Sequence, residues 1–579
     1  MFFMKQLVKY LSPYRKECII GPLFKLLEAL FELIVPLIIA GLVDQAIPSG
    51  THGPIIRCAL LLVLLAVVGL AASATAQFFA AKAAIGFSTS VRHALFSHIH
   101  SLSYAELDTL GTATLITRMT SDINQMQTGV NLGLRLLLRS PFVVFGAMIM
   151  AFYIDKRLSL IFVGVIAILF LIVFSIVHIT MPMQQNVRIE TDKVTSVTRE
   201  NLSGVRVIRA FQREEVEKTR FDNLNNLLTK AQLHAGRFTA SLNPLTWIAL
   251  NIAVILLLHY GAIRIDAGSL TQGQIIALYN YMSQILVELV KLANLIITLT
   301  KSAACASRVS TTLSVQPSQI DGTEELTPEK LLSLTFLDVG IAYHASGDAA
   351  LEHISFSAHP GQTIGIIGGT GSGKTTLVNL IPRFYDHTSG SILFGDTPIE
   401  HLTLASLRRV IGVVPQHATL FQGTIESNLR WGNPLATEQD LWDALEIAQA
   451  AEFVHEKPLG LKEPVQQGGK NFSGGQRQRL TIARALVQKP AILILDDSAS
   501  ALDYATDAAL RRSLRNMPHP PMTFIVSQRT SSVRYADQIL VLEDGLCVGK
   551  GTHEELLISC PVYREIHNAS SGKEAEDHG

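Results

Sequence analysis

The chain has 579 residues, no formal net charge, and 48% hydrophobic against 17% charged residues, with a mean hydropathy of +0.31. It is too apolar for an ordinary soluble protein, and its balanced charge gives no electrostatic footprint for nucleic acid. Its cysteines, Cys18, Cys58, Cys305, Cys547 and Cys560, lack metal-ligand spacing and read as buried or incidental thiols.

The N-terminal stretch MFFMKQLVKYLSPYRK has no cleavable-signal pattern and reads as an amphipathic entry helix. Apolarity then dominates as far as residue 310. No charged residue occurs from Cys58 to Ala81, Leu158 to Val187, Phe238 to Ile263 or Ala267 to Val287. Each run reaches the roughly 20 residues that cross a bilayer core. Two weaker runs complete the set: 24–43 carries Lys25, Glu28 and Glu32, and 136–154 carries Arg139. The pattern predicts six spans near 18–44, 55–81, 134–154, 158–182, 240–263 and 272–300.

The connections alternate between short and long. The long ones, 82–133 and 188–241, keep a helical period and many charges, which predicts helices continuing far beyond the bilayer. Their excess of Lys and Arg places them in the cytosol, with both termini and everything after residue 300. Lys156 and Arg157, in a short loop on the other side, are an exception. Lys25, Glu28 and Glu32 stand at i, i+3, i+7 and share a helix face. They either pair with one another around a polar cavity or form a substrate site; Glu288 and Lys291 in the sixth span have the same two readings.

After a polar linker, 315–330, short β runs alternate with helices. TIGIIGGTGSGKTTLVNLI (363–381) contains Gly368-x4-Gly373-Lys374-Thr375 between an apolar strand and a helical run, the context a phosphate loop requires. Backbone N–H groups from Gly368 through Thr370, Gly371, Ser372 and Gly373 can approach phosphate oxygens, ahead of a helix that opens on Lys374, Thr375 and Thr376. Lys374 reaches the β/γ phosphates and the Thr375 hydroxyl ligates Mg2+. Further on, ILILDDSAS (492–500) reads as a fully buried strand that delivers two adjacent acids, Asp496 and Asp497.

With NFSGGQRQRLTIARAL (471–486) placed shortly before those acids, the chain resembles the ATP-binding-cassette exporters over essentially its whole length. The resemblance implies an α-helical six-span transmembrane domain of the type IV exporter fold (1–314), joined by the linker (315–330) to an α/β P-loop nucleotide-binding domain (331–567). A polar tail (568–579) is expected to be disordered. It further implies ATP and Mg2+ as cofactors, with Tyr343 stacking on adenine and Gln416 and Asp496 joining Thr375 around the metal. Phe472, Ser473, Gly474, Gly475 and Gln476 look like the signature that meets ATP on another subunit. Ser500 and Asp503 match the loop that communicates across the dimer, and short coupling helices are expected near 103–110 and 208–216.

Two departures fall on the chemistry. The family places Glu, the general base, where this chain has Asp497, and His in the switch where it has Gln528. Aspartate is one methylene shorter, about 1.5 Å of reach, and a base must stand within roughly 3 Å of the proton it takes. Glutamine can hydrogen-bond a phosphate but cannot relay a proton. Gln467 also replaces an acid ahead of the signature. These residues lead to the expectation of a degenerate ATP site in one subunit of a heterodimeric exporter. Its partner would be a homologous half-transporter with the intact Glu and His, and ATPase activity would require that partner. The expected function is export of small hydrophobic or amphipathic compounds, multidrug type, across a bacterial plasma membrane, in contact with membrane lipid and not nucleic acid. A peptide or lipid exporter subunit, or an ATP-gated regulatory membrane protein, are the alternatives.

Overall fold

The computed structural model describes residues 7–327, 332–343, 347, 349–498 and 502–576. They form two compact units: Met1–His100 with Thr112–Val315, and Ser101–Gly111 with Gln316–Gly579.

The first unit is helical. Its main helices are α1 (Arg15–Gly41), α2 (His52–Ser101), α4 (Ile123–Leu136), α5 (Arg139–Ile154), α6 (Ser159–Ser203), α7 (Val205–Ala210), α8 (Glu214–Ala240), α9 (Leu242–Asp266) and α10 (Gln272–Ser314); α3 (Tyr104–Leu110) belongs to the second unit. They supply six helical stretches long and apolar enough to cross a membrane. At 50 residues, α2 is about 75 Å long, more than twice the roughly 30 Å hydrocarbon core. The excess length accounts for the charged, helix-periodic connections in the sequence.

Small residues let these helices approach. Ala72, Ala76, Ala80 and Ala84 are buried at four-residue spacing, one stripe along α2. Gly21 of α1 lies against it, so closely that a Cβ there would stand 3.4 Å from the Ala80 nitrogen. Leu60, Val63, Leu64, Val67 and Leu70 of the same helix remain exposed, as side chains that meet hydrocarbon do. Leu33, Val143, Phe162, Leu257 and Tyr281 pack the core of this unit, and the Tyr281 hydroxyl donates to the Leu33 carbonyl at 2.6 Å.

A charge cluster crosses that core. Arg139 opens α5 and is only 6% exposed; it pairs with Glu288 of α10 at 2.5 Å and Glu32 of α1 at 2.6 Å. Glu288, 2% exposed, also accepts from Ser140 at 2.8 Å and pairs with Lys291 at 2.8 Å. Lys25 pairs with Glu28 at 2.5 Å and donates to Ser73 at 3.3 Å. Each glutamate expected at a substrate cavity therefore holds an ion pair, and only Glu32, 40% exposed, keeps an open side chain.

The second coupling element departs from expectation. The short helix is α7, Val205–Ala210, not 208–216; Phe211–Arg213 form a turn with Gln212 at φ 52°. Gly204 ends α6, and Glu214, Glu215 and Glu217 favour a new helix start, since carboxylates stabilise the positive end.

The second unit holds two main sheets. In chain order the strands are β1 (Leu334–Ile341), β2 (Leu351–Ala358), β3 (Thr363–Gly368), β4 (Ser389–Phe394), β5 (Ile411–Val414), β6 (Ile492–Asp496), β7 (Met522–Ser527), β8 (Gln538–Glu543) and β9 (Leu546–Gly551). An antiparallel sheet has the order β2-β1-β4 followed by the short strand Thr397–Pro398. The larger one runs β9-β8-β3-β7-β6-β5, parallel except for β9 at the edge. All residues of β6 and β7 are buried, which explains why both are mostly apolar and do not alternate: helices cover both faces of a parallel sheet. Those used below are α11 (Lys374–Leu380), α12 (Gly474–Val487), α13 (Tyr504–Arg515), α14 (Thr530–Val533) and α15 (Pro561–Glu576). α15 runs on through most of the tail that was expected to be disordered; Lys573, Glu574, Ala575 and Glu576 are good helix formers.

Within this unit α3 is tied to the sheet domain. Ser103 and Glu106 form its capping box. The Tyr385 hydroxyl donates to Asp108 at 2.6 Å, and the Tyr104 ring lies 4.6 Å from that of Phe384.

Removing one member of a buried ion pair strands the other charge, at a cost of about 3–5 kcal/mol. Arg139→Met should therefore lower the thermal midpoint of the detergent-purified protein sharply. Arg139→Met combined with Glu288→Leu should recover much of the loss. Equal midpoints for wild type and the single variant would contradict a structural role for the pair.

Candidate nucleotide-binding site

The site begins where β3 ends. Gly371 and Gly373 take φ of 85° and 94°, and a Cβ on Gly373 would come within 2.6 Å of Leu351 and 2.9 Å of the Ala350 carbonyl. Only glycine fits that turn. α11 starts immediately after it, so its first N–H groups have no intrahelical partner and carry the positive end of the helix. Lys374 folds over the loop and donates to the carbonyls of Gly368 and Gly369. Burial holds its ammonium below the usual lysine range, and Asp497 and Asp496 oppose that effect.

A cavity of 480 Å³ opens here, lined among others by Tyr343, Ala350, Lys374, Thr376, Asp544 and Gly545. The Tyr343 hydroxyl donates to Thr376 at 3.0 Å, and its ring meets Tyr385 edge-on with centroids 5.0 Å apart. A buried cation, a ring of free N–H groups and an aromatic wall fit a nucleoside polyphosphate. Asp544 and Gly545 were missed by the sequence reading. They form the turn between β8 and β9, at φ 45° and 81°, and the Asp-Gly dipeptide between two apolar runs was the available signal.

The acids arrive from β6. Asp496 is buried and accepts from the Thr375 hydroxyl at 3.1 Å. These two, with Gln416, are the residues that would hold Mg2+, whose chemistry is to neutralise phosphate charge. Asp497 follows at φ 44°, a region that aspartate tolerates better than most residues, with its N–H donating to Val526 at 3.1 Å. Its side chain accepts from the Gln416 amide at 3.4 Å. Burial pushes both carboxyls above the ordinary aspartate range, and Lys374 draws both down. Gln528, just past β7, is exposed and makes no hydrogen bond among the described residues.

The signature stands elsewhere. Ser473 caps α12, accepting from the Gln476 N–H at 3.3 Å while the Gln476 side chain accepts from the Ser473 N–H at 3.0 Å. Phe472 is buried, with Lys457 above its ring. Gly474 follows on the exposed side, where a Cβ would meet nothing within 4 Å, and Gly475 continues the first turn of α12. Asp503 caps α13 by accepting from the Thr506 N–H at 2.8 Å, which holds its carboxyl below the usual range. Ser500 lies outside the described residues. Thr370 and Ser372 sit in the phosphate loop, but no residue of 472–476 lines the cavity.

An unfolded aspartate titrates near its ordinary value of about 3.9, whereas folded Asp497 titrates higher. Between the two values the folded state holds a proton that the unfolded state has lost, so stability falls as pH rises through that window and stays reduced above it. Without nucleotide, Asp497→Asn should melt higher than wild type at about pH 7, and the gap should close towards pH 4. A pH-independent gap would contradict the assignment.

Comparison with known families agrees with this geometry. Residues 18–289 match the ABC transporter transmembrane region and residues 351–500 match the ABC transporter domain. The chain is 36% identical over 577 residues to the uncharacterized ABC transporter ATP-binding protein Rv1273c of Mycobacterium tuberculosis, covering 97% of each chain. It is 33% identical over 476 residues to the ATP-dependent lipid A-core flippase of Desulfotalea psychrophila, covering 82% of this chain and 83% of the flippase. A bacterial Atm1-family ABC exporter with ATP bound shares the fold, with a TM-score of 0.78, 23% identity, and coverage of 95% of this chain and 97% of the exporter. Six spans, a phosphate loop and a separate signature helix on one polypeptide make this chain an ABC exporter half-transporter, a multi-pass membrane protein with its own ATP-binding domain.

Proposed function

We propose that the chain is one subunit of a heterodimeric bacterial exporter. It binds MgATP in a site of its own that hydrolyses poorly, and it lends its signature to a competent site on its partner. The observation that carries the division between two chains is the place of the signature. Ser473 and Gly474 head a 14-residue helix outside the phosphate-loop cavity. Among the described residues nothing would touch a Cβ at 474, so a close approach from another molecule accounts for the glycine. Poor hydrolysis rests on Asp497 and Gln528. The shortened carboxylate lies near the Gln416 amide, and the switch position holds a side chain that cannot move a proton.

In this reading Lys374 and the α11 N-terminus bind the phosphates, Thr375 and Asp496 orient the metal, and Tyr343 stacks on the base. Closure of two such domains turns the membrane cavity outward, with both termini and the nucleotide-binding unit in the cytosol. The transported class is hydrophobic or amphipathic small molecules. The likeness to a lipid A-core flippase favours a second reading, an amphipathic lipid as cargo.

The lone chain, reconstituted in vesicles, should bind ATP yet release almost no phosphate. A misplaced base forfeits roughly 10²- to 10⁴-fold in rate, so Asp497→Glu with Gln528→His should raise turnover by at least about 100-fold if the chain is allowed to dimerise with itself. Brisk turnover by unmodified chain alone would sink the heterodimer reading. Substrate-stimulated hydrolysis tested with a cationic dye and with a glycolipid separates the two cargo readings.

A further inference from the structure

Lys156 and Arg157 sit at the membrane end opposite the long helical extensions, where the charge distribution of the chain gives them no place. The structure of the first unit brings a third cation, Arg264, to the same spot. Arg157 and Arg264 line one cavity of 510 Å³ together with Leu158, Ile161, Tyr260 and Ile263. Tyr260, Ile263 and Arg264 stand at i, i+3, i+4 on α9 and so share a face; Arg157, Leu158 and Ile161 occupy little more than one turn at the start of α6.

The cavity is therefore graded along the membrane normal. Uncharged sequence begins at Leu158 and ends at Ile263, so both guanidinium groups stand at the boundary of the apolar layer. One turn, about 5 Å, separates them from the aliphatic wall below. Tyr260, 51% exposed, adds the kind of amphipathic ring that settles at such boundaries.

The two arginines differ in their freedom. Arg264 is pinned, by Asp155 at 3.1 Å and by donating to the Ser269 hydroxyl at 3.2 Å. Asp155 uses its other oxygen on the N–H groups of Arg157 and Leu158, at 2.8 and 2.9 Å, where it caps the start of α6. Its charge is thus committed to Arg264 and the helix end. The Arg157 guanidinium has no hydrogen bond or ion pair among the described residues. Asp266, the other nearby acid, is exposed and does not line the cavity. One positioned cation and one free cation above an aliphatic wall call for a ligand with an anionic head and a hydrocarbon tail.

We propose that this cavity binds an anionic phospholipid, its phosphate held between Arg157 and Arg264 and the first part of an acyl chain lying on Leu158, Ile161 and Ile263. The site stands apart from the nucleotide chemistry and does not depend on the heterodimer reading.

The test uses the full-length protein in nanodiscs made from equal amounts of phosphatidylglycerol and phosphatidylcholine, with co-purifying lipid counted by native mass spectrometry. Phosphatidylglycerol should be retained in preference. A surface cation contributes about 1 kcal/mol towards anionic lipid, so Arg157→Gln should cut that preference about five-fold. Arg157→Gln with Arg264→Gln should abolish it. Because Arg264 also holds Asp155, the single Arg157→Gln variant, which breaks no contact, keeps the test valid if the double variant fails to fold. Equal retention of the two lipids, or an unchanged preference in Arg157→Gln, overturns the proposal. So does displacement of the lipid by millimolar glycerol phosphate, which would assign the arginines to a free phosphate.

Discussion

The parallel ladder of the large sheet is the constraint on which the nucleotide chemistry depends. β7 lies between β3 and β6, with Ser527 beside Ile367 and Val526 beside Asp496. Parallel strands in register end together, so the phosphate loop, the paired acids and Gln528 all leave the sheet at the C-terminal ends of its strands. None of the three motifs could reach the others if one strand slipped, because each residue of slip would carry its end about 3.3 Å past that of its neighbour. Every residue of β6 and β7 is buried, Asp496, Thr523 and Ser527 among them.

The same ladder relates positions 497 and 528. Both positions lie one residue beyond the aligned ends of neighbouring strands, the place from which a side chain can address bound phosphate. Asp497 is coupled to the phosphate loop, since its charge and that of Lys374 act on each other. Asp496 and Asp497 leave the same strand, the first as the last residue of β6 and the second immediately after it.

Much of this was legible in the amino-acid order because it is local. The phosphate loop, the capped signature helix and the buried strand before Asp496 each declare themselves within twenty residues. The membrane runs are equally local, since hydropathy needs no partner. The pairing of Arg139 with Glu288 was not legible: the two lie far apart in sequence, and a charge inside an apolar run looks the same whether it faces a cavity or a counter-ion. The second short helix was misplaced because its boundary is set by Gly204 and by the acids at 214–217, both weak signals inside a long charged stretch. The Asp544–Gly545 turn carried a visible hairpin signature, yet nothing local said that it would line the nucleotide cavity rather than solvent.

Segment 101–111 constrains how such transporters can be inherited in parts. It is covalently part of the hairpin formed by the second and third spans, yet its hydroxyl, carboxylate and ring contacts are with Ser318, Phe384 and Tyr385. A recombination event that exchanged whole membrane halves between related transporters would separate Asp108 from the tyrosine it evolved beside. Functional chimaeras of this architecture must therefore be spliced around the short helix, so that it travels with the catalytic half rather than with the spans that flank it.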